Sequence, residues 1–171
     1  MFYKKKIERD FITYVTENQQ SLYRFAYSYV KNQQDALDIV QESIRKGLCS
    51  IQNIQESAAI KSWFYRIIIN TSIDMIRKRK REQLVEDETI EFMAHGNEDS
   101  YEDMDLREAV EALPHTYRMI ITLRFFEDLK IEEIAHILEE NPNTIKTRLY
   151  RALKLLRMDL DSSYSEGKIH E

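Results

Sequence analysis

Glycine and proline are nearly absent from this chain, whose 171 residues include three glycines and two prolines. Folds rich in β-sheet need many tight turns, and these two residues are the ones that most often build them. Glycine and proline are also the residues that most disfavour a helix interior. The sequence therefore predicts an all-α fold.

Charge divides the chain into three parts. Residues 1–81 carry fifteen basic and eight acidic side chains, whereas residues 82–105 carry ten acidic side chains and no Lys or Arg. Like charges repel in this middle stretch, which lacks a sustained apolar period that could be buried. A structureless loop of about two dozen residues is rare inside one compact domain, so we interpret it as an acidic linker between two domains. The overall charge of −5 thus conceals a basic first part that could bind a polyanion.

Apolar spacing predicts four helices in the first domain, residues 1–81. A pattern with the i, i+3, i+4, i+7 spacing of an amphipathic helix starts at Leu22, and a shorter helix precedes it. After a connecting loop at 49–56, Ser57 is the expected N-cap of a long helix that runs to about Arg81. Before that loop, a third helix is expected to bury four apolar side chains: Leu37, Val40, Ile44 and Leu48.

The second domain is predicted at residues 106–160, followed by a tail at 161–171. Helices are expected at Leu106–Leu113 and Tyr117–Phe126, with Pro114 between them. Residues 130–157 then combine a short apolar helix, a turn of about four residues and a second helix, which are the parts of a helix-turn-helix.

The last helix of this motif has two different faces. Ile145, Leu149, Ala152, Leu153 and Leu156 form its apolar face. The opposite face and the N-terminal end carry side chains that can read base edges or phosphates in a major groove: Asn143, Thr144, Lys146, Thr147, Tyr150, Arg151 and Lys154. A solvated basic face on a helical hairpin is the alternative interpretation.

Two further segments are polar in a patterned way. The long helix carries Arg66 and Asn70 and ends in five basic residues, 77–81, a composition that suits single-stranded nucleic acid. A cationic helix C-terminus that favours its own dipole is the alternative. The third helix carries an acidic stripe of Asp35, Asp38, Gln41 and Glu42, which physical reasoning alone interprets as a solvated face.

The sequence gives little support for catalysis. The four histidines are scattered, Cys49 is the sole cysteine, and there is no Gly-rich phosphate loop. We therefore expect no enzyme activity, no cofactor, no metal site and no small-molecule substrate. The first residues do not resemble a secretory signal, and no apolar run is long enough to span a bilayer, so a cytoplasmic location is expected.

Taken together, these segments resemble the extracytoplasmic-function (ECF) sigma factors of bacterial RNA polymerase. The region 2 pattern of that family resembles LYRFAYSYVKNQQDALDIVQES at 22–43 and KSWFYRIIINTSIDMIRKRKR at 61–81. Its region 4 pattern resembles ALPHTYRMIITLRFFEDLKIEEIAHILEENPNTIKTRLYRALKLLR at 112–157. An acidic linker between the two is also expected of the family, and several phrases are similar to its SigV-like subgroup in Firmicutes.

The resemblance implies roles for particular residues. Asp38, Gln41 and Glu42 correspond to the motif that docks on the clamp helices of the polymerase β′ subunit, and the loop 49–56 corresponds to the one that captures a flipped base. The residues corresponding to contacts with the −10 element are Arg66, Asn70, Arg77, Lys78, Arg79, Lys80 and Arg81. Those corresponding to the −35 recognition helix are Asn143, Thr144, Lys146, Thr147, Tyr150 and Arg151.

The resemblance also implies partners: core RNA polymerase, through its β′ clamp helices and β flap, promoter DNA, and an anti-sigma factor. In this family the anti-sigma factor is expected to be tethered to the membrane and to release the sigma factor on envelope stress. Two other interpretations remain open from the residues alone. A stand-alone helix-turn-helix regulator predicts a dimer on a symmetric operator, and a helical scaffold for acidic proteins predicts no DNA preference.

Overall fold

A computed structural model describes residues 2–83 and 101–166, and within these two ranges the chain forms helices and turns without a strand. The chain divides into two compact units, Met1–Ile90 and Glu91–Glu171. The predicted all-α fold of two small helical domains is confirmed.

The first unit contains the four predicted helices. They are α1 Phe2–Glu17, α2 Gln19–Val30, α3 Gln33–Ser50 and α4 Ile60–Gln83, with short 3₁₀ turns at Ile51–Asn53 and Ser57–Ala59. Lys31 ends α2 in the left-handed conformation, with φ of 52°. Asn32 then caps α3, because its side-chain oxygen accepts a hydrogen bond from the Asp35 N–H at 3.0 Å. The tight link between α2 and α3 follows from these two residues.

Aromatic side chains fill the core of the first unit. Phe11 of α1 is fully buried, and its ring meets those of Phe64 and Trp63 edge to face, with centroids 5.0 and 5.6 Å apart. Phe25 of α2 meets Tyr65 in the same geometry at 4.8 Å. Edge-to-face pairs of this kind stabilise a core beyond the area that they bury. Helix α4 therefore anchors α1 and α2 through neighbouring aromatic residues.

The face of α3 that is buried differs from the predicted one. Leu37 and Leu48 are 46% and 43% exposed, and Val40 and Ile44 are half-buried. The buried positions are instead Asp35, Ala36, Ile39, Ser43 and Gly47. The prediction was wrong because it chose the wrong side of the helix: apart from Asp35 and Ile39, the buried positions of α3 carry small side chains, which allow a close approach.

Gly47 marks the closest approach on this face. A Cβ atom added there would lie 2.6 Å from Phe11 Cζ and 3.4 Å from Phe64 Cε2. Lys46 of α3 contacts two residues of α4 that are about one turn apart. Its Nζ donates a hydrogen bond to Thr71 at 3.2 Å and lies 3.8 Å from the Asp74 carboxylate. The C-terminal part of α3 thus packs against the middle of α4.

The second unit contains helices α5 Tyr101–Ala112, α6 His115–Ile121, α7 Ile131–Leu138 and α8 Pro142–Glu166. A five-residue π turn, Thr122–Phe126, extends α6. The core of the second unit includes one cluster of side chains from α5, the turn after α5, α6 and α8: Val110, Leu113, Ile121, Ala152 and Leu156. Of the apolar face predicted for α8, Ile145, Ala152 and Leu156 are buried, but Leu153 is 42% exposed, since it lies at the margin of this face.

Several predicted boundaries are shifted. Helix α4 extends to Gln83 and α5 begins at Tyr101, so both ends of the expected linker 82–105 are helical, while residues 84–100 lie outside the described ranges. Helix α8 continues to Glu166, within the expected tail. Ser57 does not cap α4. It begins the second 3₁₀ turn, and its hydroxyl donates to Asp10 Oδ2 at 2.5 Å.

Candidate nucleic-acid interface

The turn between α7 and α8 fixes where α8 begins. Glu139 ends α7 in the left-handed conformation, and the Glu140 N–H donates to the Ala135 carbonyl at 2.9 Å. Asn141 then caps α8, since its Oδ1 accepts from the Asn143 N–H at 2.8 Å. Pro142 occupies the first helical position, as expected for proline. The predicted helix-turn-helix is therefore present.

An ion pair ties this turn to the body of α8. Glu140 Oε1 lies 2.8 Å from Arg148 Nη1, and both side chains are about one-third exposed. Arg148 is consequently held on the side of α8 nearer the core, away from the exposed polar face.

That polar face contains the predicted −35 residues. Asn143, Lys146, Thr147, Tyr150 and Arg151 are exposed, and Thr144 is half-buried. Asn143, Thr147 and Tyr150 follow one another at i, i+4 and i+7, so they share one side of the helix. The Tyr150 ring is 73% exposed, which leaves it open to a partner. The arrangement can present amide, hydroxyl and cationic groups together to a groove of duplex nucleic acid.

Helix α4 of the first unit presents a second basic face. Asn70, Arg77 and Arg81 are exposed and Arg66 is half-buried. At 3.6 residues per turn these four lie within about 60° of one another around the helix axis. The exposed Lys80 lies beside them. Amide and guanidinium groups spaced along one face are suited to contact the backbone and bases of a nucleic acid strand.

The other two residues of the basic run have acidic neighbours. Lys78 Nζ lies 3.9 Å from Glu82 Oε1, a solvent-exposed pair. Arg79 Nη2 lies 2.5 Å from Oδ1 of Asp35, which is buried at the start of α3. The structure therefore does not place all five basic residues on one surface, and it removes Asp35 from the predicted acidic stripe.

The remaining stripe on α3 is a mixed surface. Asp38 and Gln41 are exposed, and Glu42 is half-buried. Both carboxylate oxygens of Glu42 accept hydrogen bonds from Arg45, at 2.6 and 2.8 Å, which holds the pKa of Glu42 below its ordinary value. The exposed Leu37 flanks Asp38. Sequence reasoning missed this leucine because it had been assigned to the core.

Two more features escaped the sequence interpretation. Phe125 and Phe126 in the π turn are both more than half exposed, although adjacent aromatic residues in an apolar helix indicate burial. In the first unit, a cavity of about 270 Å³ lies beside the loop 49–56. It is lined by residues of α1, of the end of α3 and of the segment that follows α3, including Lys4, Cys49, Gln52 and Ile54.

Within the described ranges, no group of three or more His, Cys, Asp or Glu side chains is arranged to hold a metal ion. None of the helices described there is long and apolar enough to cross a membrane.

Family comparisons agree with this geometry. The profile described as "Sigma-70 region 2" matches residues 14–82, and that described as "Sigma-70, region 4" matches residues 103–156. The first match covers most of the first unit, and the second covers α5 to most of α8. A region 2 match in the first unit and a region 4 match in the second place the chain in the class of sigma-70-type transcription initiation factors. The chain belongs to the ECF sigma factors of this family.

Relatives support the same assignment. The chain is 58% identical to RNA polymerase sigma factor SigV of Bacillus subtilis, over 87% of this chain and 90% of that one. It is 29% identical to ECF RNA polymerase sigma factor SigW of the same organism, over 91% and 92%. The resemblance to the ECF family and to its SigV-like subgroup is thus confirmed, and these matches favour it over a stand-alone regulator.

Solved structures show the same fold. The sigma factor RpoE of Bartonella quintana, in complex with the anti-sigma factor NepR, matches with a TM-score of 0.76 and 27% identity, over 90% of this chain and 98% of that one. CnrH, in complex with the cytosolic domain of CnrY, matches in fold with a TM-score of 0.66 at 19% identity, over 94% and 96%.

Proposed function

We propose that this sigma factor directs core RNA polymerase to a specific set of promoters and helps to melt the DNA there, without catalysing a reaction itself. The observation that carries the proposal is the presence of exposed basic and amide side chains on one face of α4 and on one face of α8, in two separate units. Two modules of modest affinity bind tightly only when both engage one DNA molecule. Sigma factors achieve this on the polymerase.

We assign α8 to the −35 element and α4 to the −10 element. The α8 residues Asn143, Thr147 and Tyr150 share a face that duplex DNA can reach, and Lys146 and Arg151 flank them. The α4 residues Arg66, Asn70 and Arg77 share a face suited to a melted strand. The cavity beside the loop 49–56 is the proposed site of the flipped base.

We assign the exposed α3 surface to core polymerase. Asp38, Gln41 and the Glu42–Arg45 pair provide polar and charged groups, and the exposed Leu37 provides apolar area. Interfaces commonly combine an apolar centre with a polar rim. The proposed partner surface is the β′ clamp helices, and the second unit is proposed to meet the β flap.

An anti-sigma factor is the second proposed partner. Its support is the likeness to a sigma factor solved in complex with an anti-sigma factor. We further propose that this partner is membrane-tethered, holds the sigma factor inactive at the inner face of the membrane, and releases it in the cytoplasm on envelope stress.

Promoter opening tests the proposed function. Duplexes selected from a random library by core polymerase plus this chain would be probed with permanganate, which modifies unpaired thymines. Reactive thymines are expected only when the chain and sigma-free core polymerase are both present. Tight binding of the chain alone to a symmetric duplex, without opening, would instead support a stand-alone regulator.

A charge reversal on α3 tests the docking assignment in the same assay. Asp38→Lys is expected to raise the chain concentration needed for half-maximal opening by about tenfold, because it reverses the charge of a group that is proposed to face the partner. Glu108→Lys, the same charge change at an exposed position of α5, is the control and should leave that concentration unchanged. Equal effects of the two variants would contradict the assignment of α3.

A further inference from the structure

One cation of the basic run points in a different direction from its neighbours. Arg66, Asn70, Arg77 and Arg81 lie within about 60° around α4, whereas Arg79 lies about 140° or more from each of them. Arg79 instead continues the row of Ile68, Ser72 and Met75, at i, i+4, i+7 and i+11. Ile68 and Ser72 are fully buried and Met75 is half-buried. Arg79 therefore lies on the core-facing side of α4.

On that side, Arg79 forms an ion pair with a buried carboxylate. Asp35, near the start of α3, is only 5% exposed, and its Oδ1 accepts a hydrogen bond from Arg79 Nη2 at 2.5 Å. Its Oδ2 is also buried and accepts no hydrogen bond from the described residues. The Asn32 cap fixes the backbone of Asp35 at this point. The backbone position of Asp35 is thus fixed independently of Arg79.

Withdrawing Arg79 from this pair would be costly. Removing Arg79 would leave the buried Asp35 carboxylate without the one charged partner that the described residues provide. The Arg79 side chain remains about half exposed, so the pair lies at the edge of the core. Its position joins the last turns of α4 to the first turn of α3.

We propose that Arg79 is a positioning residue and not a DNA contact: its pair with Asp35 holds the basic end of α4 against α3 and so orients Arg77 and Arg81 toward DNA. The inference rests on the proposed promoter-binding function for its DNA readout. Within the run of five cations, it separates Arg77 and Arg81, which face nucleic acid, from Arg79, which faces the protein.

Substitution of the partner carboxylate distinguishes the two roles. Promoter affinity of the complete complex with core polymerase would be measured for Asp35→Asn, for Arg79→Gln and for the control Arg81→Gln, which removes a proposed phosphate contact. Asp35→Asn removes no cation, so it should weaken binding several-fold only if the Asp35–Arg79 pair positions the end of α4. Arg79→Gln should weaken binding to the same extent, and Arg79→Lys should restore most of the affinity.

Thermal unfolding of the free chain tests the pair without DNA. Asp35→Asn and Arg79→Gln are each expected to lower the Tm of the first unit by about 5 °C, and the double variant should be little worse than either single variant, because both remove one interaction. If the double variant instead loses as much Tm as the two single variants together, Asp35 and Arg79 do not stabilise the unit as a pair. Promoter affinity that is weakened by Arg79→Gln but unchanged in Asp35→Asn would overturn the positioning role. Failure of the proposed function would look different, since the unsubstituted chain would then show no promoter-specific binding at all.

Discussion

At the scale of single residues, one missing side chain sets the distance between α3 and the aromatic core. Gly47 lies in the interior of α3, where glycine costs about 1 kcal/mol relative to alanine. The chain tolerates this cost where the fully buried Phe11 ring occupies the space that a Cβ would need.

Gly47→Ala is therefore expected to have two opposing effects on the stability of the fold. The added methyl improves helix propensity by about 1 kcal/mol, but it overlaps with a buried ring, and overpacking of this kind costs about 1–3 kcal/mol. We expect the free energy of unfolding to fall by about 1 kcal/mol in urea denaturation. Gln41→Ala, on the exposed side of the same helix, is the control and should change it little. A more stable Gly47→Ala variant would show that the Phe11 ring moves aside freely.

Protonation of Glu42 is also set locally. The two hydrogen bonds from Arg45 favour the ionised carboxylate and hold the pKa of Glu42 below its ordinary value of 4.5. The stabilising effect of this pair is therefore complete above that value, and it disappears as pH falls through the lowered pKa of the folded state. In an NMR titration, we expect the Glu42 carboxyl to titrate at lower pH in the native chain than in Arg45→Gln. An unchanged midpoint would mean that the pair does not form in solution.

At the scale of elements, the beginning of α8 decides how the recognition face is presented. Asn143 and Thr144 lie in the first turn, directly after the Asn141 cap and Pro142. The orientation of these side chains depends on a helix that starts at a defined residue.

Removing the cap should therefore affect both stability and binding. Asn141→Ala is expected to lower the free energy of unfolding of the second unit by about 1 kcal/mol and to weaken binding to −35 duplex, because the first turn frays. Asn141→Ser retains a capping oxygen and should lie close to the native chain in both measurements. Urea denaturation and duplex titration check these two effects. Equal behaviour of the Ala and Ser variants would exclude a role for the cap.

The elements also show what periodicity can and cannot predict. Helices α2, α4 and α8 were predicted because apolar side chains recur on one face, although α8 continues into the expected tail. The buried face of α3 was predicted wrongly, since Ala36, Ser43 and Gly47 carry no strong apolar signal and are selected by the close approach of α4 and α1. The partner of Arg79 was hidden, because Asp35 lies 44 residues away in the sequence, although helical spacing alone separates Arg79 from Arg77 and Arg81. The recognition face of α8, by contrast, depends on spacing within one helix.

At the scale of the whole molecule, a net charge of −5 coexists with two basic faces. Six acidic residues lie between the described ranges: Glu86, Asp87, Glu88, Glu91, Glu98 and Asp99. We expect their negative charge to oppose the binding of a polyanion by the free chain.

Neutralising these six residues to Asn or Gln is expected to strengthen the binding of the free chain to nonspecific duplex DNA, and more so at low salt, where charges are screened least. Exchanging Asp for Glu and Glu for Asp at the same six positions keeps the charge and serves as the control. Electrophoretic mobility shifts at two salt concentrations measure the effect. Unchanged affinity after neutralisation would show that these acids do not oppose DNA binding.

The cavity beside the loop 49–56 has a practical consequence. The chain's single cysteine, Cys49, is exposed and lines that cavity, so a thiol-reactive fluorophore would attach at one known position without any engineered substitution. Because this position lies beside the proposed site of the flipped base, the emission of such a label would report strand capture in real time.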